Sequence, residues 1–135
     1  MPHIVIEYSA NIRDRIALPA LIDKLHETAI RTGVFPLGGT RTRAAERTHY
    51  KIADGHPDNG FVHVSMMIGA GREPEVKHNA ARAVFDALVE HTAPLFAQAP
   101  LGLTLEVREL EPELSFKHNN LHDYVKARQA GKEKP

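Results

Sequence analysis

The chain has 135 residues, of which 42% are hydrophobic and 25% charged, as is typical of one soluble globular domain with a real core. Basic and acidic residues number 17 each, and neither a signal peptide nor a run of ~18 apolar residues occurs, so we expect no nucleic-acid or membrane partner. The absence of cysteine excludes disulfides and thiol chemistry and suits the cytoplasm, where we expect the protein to act.

The first elements predicted are a strand and an amphipathic helix. Residues 1–8 include a β-prone apolar run in which Ile4, Ile6 and Tyr8 share one face. Pro19 suits the first turn of a helix, and Gly33 is expected to end it. The apolar stripe of that helix consists of Leu18, Leu21, Ile22, Leu25 and Ala29.

The next segment combines a turn with a strand that carries two arginines. Residues 34–39 contain proline and two glycines and predict a turn. The residues that follow alternate in a strand-like manner, which places Arg41 and Arg43 on the same face. A loop rich in glycine, proline and Asx residues then covers residues 53–60.

The second half repeats this order of elements. A strand over residues 61–68 is followed by the longest helix, which opens near Glu73 and which Pro94 is expected to kink or end at residues 91–93. A strand follows at 101–110, and a short helix is predicted over 120–128.

The order β-α-β, β-α-β predicts an α+β domain over residues 1–126, with pseudo-repeat halves at about 1–58 and 59–115 and a flexible C-terminal tail over 127–135. Two right-handed βαβ units sharing a four-stranded sheet, with two helices on one face, satisfy this order. A ferredoxin-like split βαβ arrangement has the same element order and stays open at this point.

Candidate chemistry lies in three arginines and in the N-terminal proline. Arg72 follows a Gly-Ala-Gly turn at a helix start, and together with Arg41 and Arg43 it would suit a small di- or tricarboxylate, because guanidinium groups bind carboxylates bidentately. If Met1 is removed, Pro2 gains a free secondary amine, which can act as a general base.

Nine histidines raise the question of a metal site. His118 and His122 are four residues apart, which would place both on one helix face. No H-E-x-x-H pattern and no cysteine accompany them, so we expect neither a metal nor another cofactor.

Several sequence blocks together resemble the 5-carboxymethyl-2-hydroxymuconate isomerase family of the tautomerase superfamily. They lie in the same order over residues 2–126, and they are Met-Pro-His-Ile at the start, Thr-Gly-Val-Phe-Pro-Leu-Gly-Gly at 32–39 leading to Arg41 and Arg43, Phe-Val-His at 61–63, Ile-Gly-Ala-Gly-Arg at 68–72 and Phe-Lys-His-Asn-Asn-Leu-His at 116–122. The chain departs from the family in Pro94 and in a longer, charged tail.

The resemblance implies a tautomerase-type fold, a homotrimer and a step in the bacterial breakdown of homoprotocatechuate. It implies that Pro2 is the catalytic base, that Arg41 and Arg72 are catalytic and bind the substrate's carboxylates, and that Arg43 contributes to binding. A different hypothesis is a ferredoxin-like small-anion sensor without catalysis, in which Pro2 is incidental and the arginines form an anion pocket.

Overall fold

The computed structural model describes residues 2–133 and contains four strands and three α-helices. Short 3-10 turns at Ala10–Arg15, Leu37–Gly39 and Pro112–Leu114 join some of them. In chain order the elements are β1 (His3–Ser9), α1 (Leu18–Arg31), β2 (Arg41–Arg47), β3 (Gly60–Gly69), α2 (Pro74–Phe96), β4 (Leu101–Leu110) and α3 (Leu121–Glu133).

The four strands form one mixed sheet in the order β2-β1-β3-β4. β1 pairs with β2 in parallel and β3 with β4 in parallel, while β1 and β3 run antiparallel in the centre. The predicted pair of βαβ units in an α+β fold is therefore confirmed. The split arrangement is wrong, because the two strands of each unit are direct hydrogen-bonded neighbours.

The hydrophobic core lies between one face of the sheet and the helices α1 and α2. Alternate strand residues point to this face, as their period of two requires, and both helices turn their apolar stripes toward it. Fully burying an aliphatic side chain contributes about 1.5–3 kcal/mol. The fully buried members include Ile4, Ile6, Leu21, Leu25, Val62, Val64, Val84 and Leu88.

The two helix ends predicted from glycine and proline behave differently. Gly33 adopts φ +74° directly after α1, and its N–H donates to the Ile30 carbonyl at 3.1 Å, so the predicted stop is confirmed. The predicted end of α2 at residues 91–93 is wrong, because α2 continues through Pro94 to Phe96, whereas a kink at these residues stays a prediction. Pro94 lies in the last turn, so the helix loses the one hydrogen bond that its N–H would have made and only two residues follow it.

The C-terminal helix is longer than predicted. α3 reaches Glu133 instead of residue 128, and it lies against the turn Leu37–Gly39. A Cβ atom at Gly38 would stand 2.7 Å from His122 Nδ1, so glycine permits this close approach. Flexibility of residues 127–135 stays a prediction, and Met1, Lys134 and Pro135 lie outside the described residues. Within residues 2–133, no helix has the length and apolar character needed to cross a membrane.

Candidate active site

One edge of the sheet carries a cavity. Because β1 and β2 run opposite to β3 and β4, the starts of the first pair and the ends of the second pair meet at this edge. A cavity of about 440 Å³ opens there. Its lining residues are His3, Arg41, Gly69, Ala70, Leu110, Pro112, Ser115, Phe116, Lys117, His118 and Asn119.

Pro2 and Arg41 lie side by side at this edge. Pro2 is buried, and its carbonyl accepts a hydrogen bond from the backbone N–H of Arg41 at 3.1 Å. His3 is the register partner of Arg41 across β1 and β2, and both line the cavity. Two residues that the sequence placed in the site are thus brought together, although they are far apart in the chain.

The turn before β2 fixes the position of Arg41. The buried Thr40 donates its hydroxyl to the Pro36 carbonyl at 2.9 Å and its backbone N–H to the Leu37 carbonyl at 3.3 Å. Both glycines of the turn are buried, and α3 lies against it. The start of β2 is consequently held by local hydrogen bonds on one side and by a packed helix on the other.

Arg72 is not among the residues that line the cavity. Its Nη1 donates to the carbonyl of Gly69 at 3.0 Å, and its Nη2 donates to the carbonyl of Val34 at 3.4 Å. The guanidinium also stacks over the Phe35 ring, 5.1 Å from the ring centroid. Arg72 therefore ties Gly69, which does line the cavity, to the segment after α1.

Arg43 is exposed and is not among the lining residues. Its Nη1 lies 3.1 Å from Nδ1 of His3, the residue that follows Pro2. Burial lowers the pKa of His3, and the positive charges of Arg43 and Arg41 lower it further. The sequence did not point to His3 as a site residue, although it belongs to the N-terminal block of the resemblance.

The segment after β4 forms the other wall of the cavity. Ser115, Phe116, Lys117, His118 and Asn119 all line it. The sequence singled out only His118 among them, and as a possible metal ligand rather than as a substrate-binding residue. Residues 116–119 belong to the block at 116–122 that supports the family resemblance, and this block was the sequence feature that could have identified them.

The histidine pair of this region does not support a metal site. His118 lies before α3, whereas His122 lies within it against Gly38, so the two do not share a helix face. Among residues 2–133, no group of three His, Asp or Glu side chains is placed to hold a metal ion.

The charge of the lining suits an anionic ligand. Arg41 and Lys117 contribute positive charges, and none of the lining residues is acidic. Outside the lining, hydrogen bonding to Lys77 lowers the pKa of Glu109, and the charge of Arg72 acts in the same direction. Carboxylates on a small molecule would meet two cations and several hydrogen-bonding side chains here.

Comparison with known proteins identifies close relatives. The family model for 5-carboxymethyl-2-hydroxymuconate isomerase matches residues 2–125. A 5-carboxymethyl-2-hydroxymuconate Delta-isomerase of Escherichia coli is 40% identical over 126 residues, covering 93% of this chain and 100% of the relative.

Solved structures agree in fold. The crystal structure of a 5-carboxymethyl-2-hydroxymuconate isomerase from Deinococcus radiodurans R1 has 38% identity and a TM-score of 0.86, with 92% of this chain and 93% of that chain covered. A fused 4-OT, solved as a symmetric trimer, is similar at a TM-score of 0.63 with 17% identity, covering 86% of this chain and 93% of the other. The second likeness bears on the fold alone.

Proposed function

The chain belongs to the 5-carboxymethyl-2-hydroxymuconate isomerase family, and we propose that it isomerises 5-carboxymethyl-2-hydroxymuconate by proton transfer through Pro2. The dienol loses the proton of its 2-hydroxyl group and gains a proton at carbon 5, which leaves the 2-oxo-3-ene tricarboxylate. No electrons leave the molecule, so the reaction needs no redox cofactor. The alternative of a ferredoxin-like sensor has lost its support, because the split strand order is absent.

The proximity of Pro2 to Arg41 is the observation that carries this proposal. An ordinary α-amino group has a pKa of about 7.7–8.0 and is mostly protonated at neutral pH. Burial and nearby cations both disfavour the charged form. Pro2 is buried, and its carbonyl accepts a hydrogen bond from the backbone N–H of Arg41, which also lines the cavity. Once Met1 is removed, the amine of Pro2 would be neutral often enough to act as a base.

The arginines take separate roles in this proposal. Arg41 lines the cavity and would stabilise the negative charge that develops at the 2-oxo acid end. Arg72 would orient a distal carboxylate, because its guanidinium binds the carbonyl of Gly69, a residue of the cavity lining. Two backbone carbonyls and the Phe35 ring hold the Arg72 guanidinium, so its charge needs little rearrangement during the reaction.

The test of the base is Pro2→Ala. Alanine also permits removal of Met1, but its primary amine lacks the fixed ring of proline, so turnover should fall by orders of magnitude while the fold persists. Intact mass spectrometry verifies that Met1 is absent from both proteins, circular dichroism compares the folds, and loss of dienol absorbance gives kcat. Unchanged kcat in a correctly processed variant would contradict the proposal.

We also propose that the chain works as a homotrimer in the cytoplasm, in the bacterial breakdown of homoprotocatechuate formed from 4-hydroxyphenylacetate. Support for assembly comes from the exposed apolar side chains beside the cavity, since Leu114 is 76% and Phe116 91% exposed. Comparing growth on 4-hydroxyphenylacetate with and without the gene tests the pathway.

A further inference from the structure

The hydrogen bond between Arg43 and His3 determines which nitrogen of the imidazole ring carries a proton. A guanidinium group only donates hydrogen bonds, so Nδ1 of His3 must accept across the 3.1 Å that separates it from Nη1 of Arg43. An imidazole whose Nδ1 accepts is neutral and carries its proton on Nε2. Arg43 therefore selects one tautomer of His3.

The surroundings of His3 favour the same neutral form. Its pKa is lowered by burial first, and then by the charges of Arg43 and Arg41. His3 lines the cavity, and its hydrogen bond to Arg43 engages Nδ1, so Nε2 is the ring nitrogen whose proton can be offered to a ligand. The cavity lining thus holds a neutral imidazole at the register position beside the cationic Arg41.

We propose that His3 is a substrate-binding residue that donates its Nε2–H to a substrate carboxylate, and that Arg43 is the positioning residue that holds His3 in this tautomer. The inference rests on the proposed isomerase function. It replaces the direct substrate contact that the sequence predicted for Arg43, since Arg43 reaches the cavity only through His3. A carboxylate held by Arg41 would accept its second hydrogen bond from the adjacent register position.

Two substitutions of His3 test whether the substrate needs the Nε2–H donor itself or only a polar side chain at this position. His3→Gln places an amide N–H near the position of Nε2, whereas His3→Asn places polar atoms only near Nδ1. A hydrogen bond to a charged group corresponds to about a tenfold to hundredfold change in binding. We expect His3→Asn to raise KM for 5-carboxymethyl-2-hydroxymuconate by this factor and His3→Gln to raise it much less. The kcat should change little in both, because the carboxylate does not react.

The role of Arg43 is tested by spectroscopy as well as by kinetics. In the wild-type protein, a long-range proton–nitrogen NMR spectrum should show His3 with its proton on Nε2 at neutral pH, and the signals are assigned by their loss in His3→Gln. Arg43→Ala should mix the tautomers and raise KM, while Arg43→Lys should restore both in part. Arg47→Ala is the matched control, because Arg47 lies on the same strand face but pairs with Glu7.

Failure of this inference differs from failure of the proposed function. If the wild-type protein isomerises the substrate but His3 carries its proton on Nδ1, or His3→Asn retains the wild-type KM, the role of His3 is refuted and Pro2 is unaffected. A fall in kcat with unchanged KM would also refute a pure binding role. A wild-type protein with the Nε2–H tautomer but no isomerase activity would refute the binding role of His3 together with the proposed function.

Discussion

Three arginines near the cavity differ in their partners, which supports the separate roles proposed for them. Arg41 lines the cavity beside Pro2, Arg43 contacts His3, and Arg72 binds two backbone carbonyls. A guanidinium that is already fixed by carbonyls loses little conformational entropy when a ligand arrives, but it also offers fewer N–H groups. Residue type alone would assign all three to the substrate.

The substrate proposed here carries three carboxylates, and Lys117 is the cavity cation that the sequence did not indicate. Lys117→Met keeps most of the apolar stem but removes the charge. A charged hydrogen bond contributes about 1.5–3 kcal/mol, so KM should rise about tenfold or more. Steady-state kinetics at low and high salt measure the effect, which should shrink as salt screens the charge.

Lys126→Met serves as the matched control for this charge, because Lys126 lies on the exposed surface of α3 and does not line the cavity. It should leave KM unchanged. Equal KM values for the two variants would mean that Lys117 does not bind the substrate.

Two features of the candidate site could be predicted from the sequence. The strand-like alternation predicted that Arg41 lies in a strand, and the N-terminal block of the family resemblance pointed to Pro2. The positions of Lys117 and Arg72 depend on long-range contacts: Lys117 lines the same cavity as His3 because the chain returns past the end of β4, and Arg72 contacts the Val34 carbonyl 38 residues away. Local periodicity contains no information on either contact.

At the level of elements, α3 connects the two walls of the cavity. It packs against the turn Leu37–Gly39 that precedes Arg41, and the segment leading into α3 supplies residues 115–119. Its length was underestimated because few apolar residues mark its course, and nearly all of its described side chains are exposed. Pro94 was overestimated as a helix breaker, since its effect depends on how near the helix end lies.

Gly38→Ala should undock α3. The added Cβ would lie 2.7 Å from Nδ1 and 2.9 Å from Cα of His122, so the helix backbone itself must move. Overpacking of this kind costs about 1–3 kcal/mol, which exceeds what a lightly buried helix can absorb. Amide hydrogen exchange over residues 121–133 should accelerate, and KM should rise as residues 115–119 shift.

Gly102→Ala is the control for this substitution, because a Cβ atom at Gly102 meets nothing within 4 Å. Its hydrogen exchange in α3 and its KM should match those of the wild type. Slow exchange in Gly38→Ala would show that the turn yields instead of the helix.

For the molecule as a whole, the face of the sheet opposite α1 and α2 is the surface that we expect to mediate the proposed assembly. The helices cover only one face, and the other carries half-buried residues such as Val5 and Met67. A sheet normally buries its apolar faces against another layer, and a second copy of the chain can supply that layer. In the proposed trimer a neighbouring subunit would bury this face, so no further element of the chain is needed.

Val5→Asp tests whether a neighbouring subunit buries this face, because Val5 lies in a central strand between Arg43 and Ser65. An aspartate buried between subunits would lose hydration without a dedicated partner, so the assembly should dissociate. Light scattering should give the wild type three times the chain mass of 15.0 kDa and the variant a single chain mass. Val89→Asp, at a 42% exposed position on α2, should remain trimeric. A monomeric wild type that isomerises the substrate would leave the catalytic proposal standing and remove the assembly.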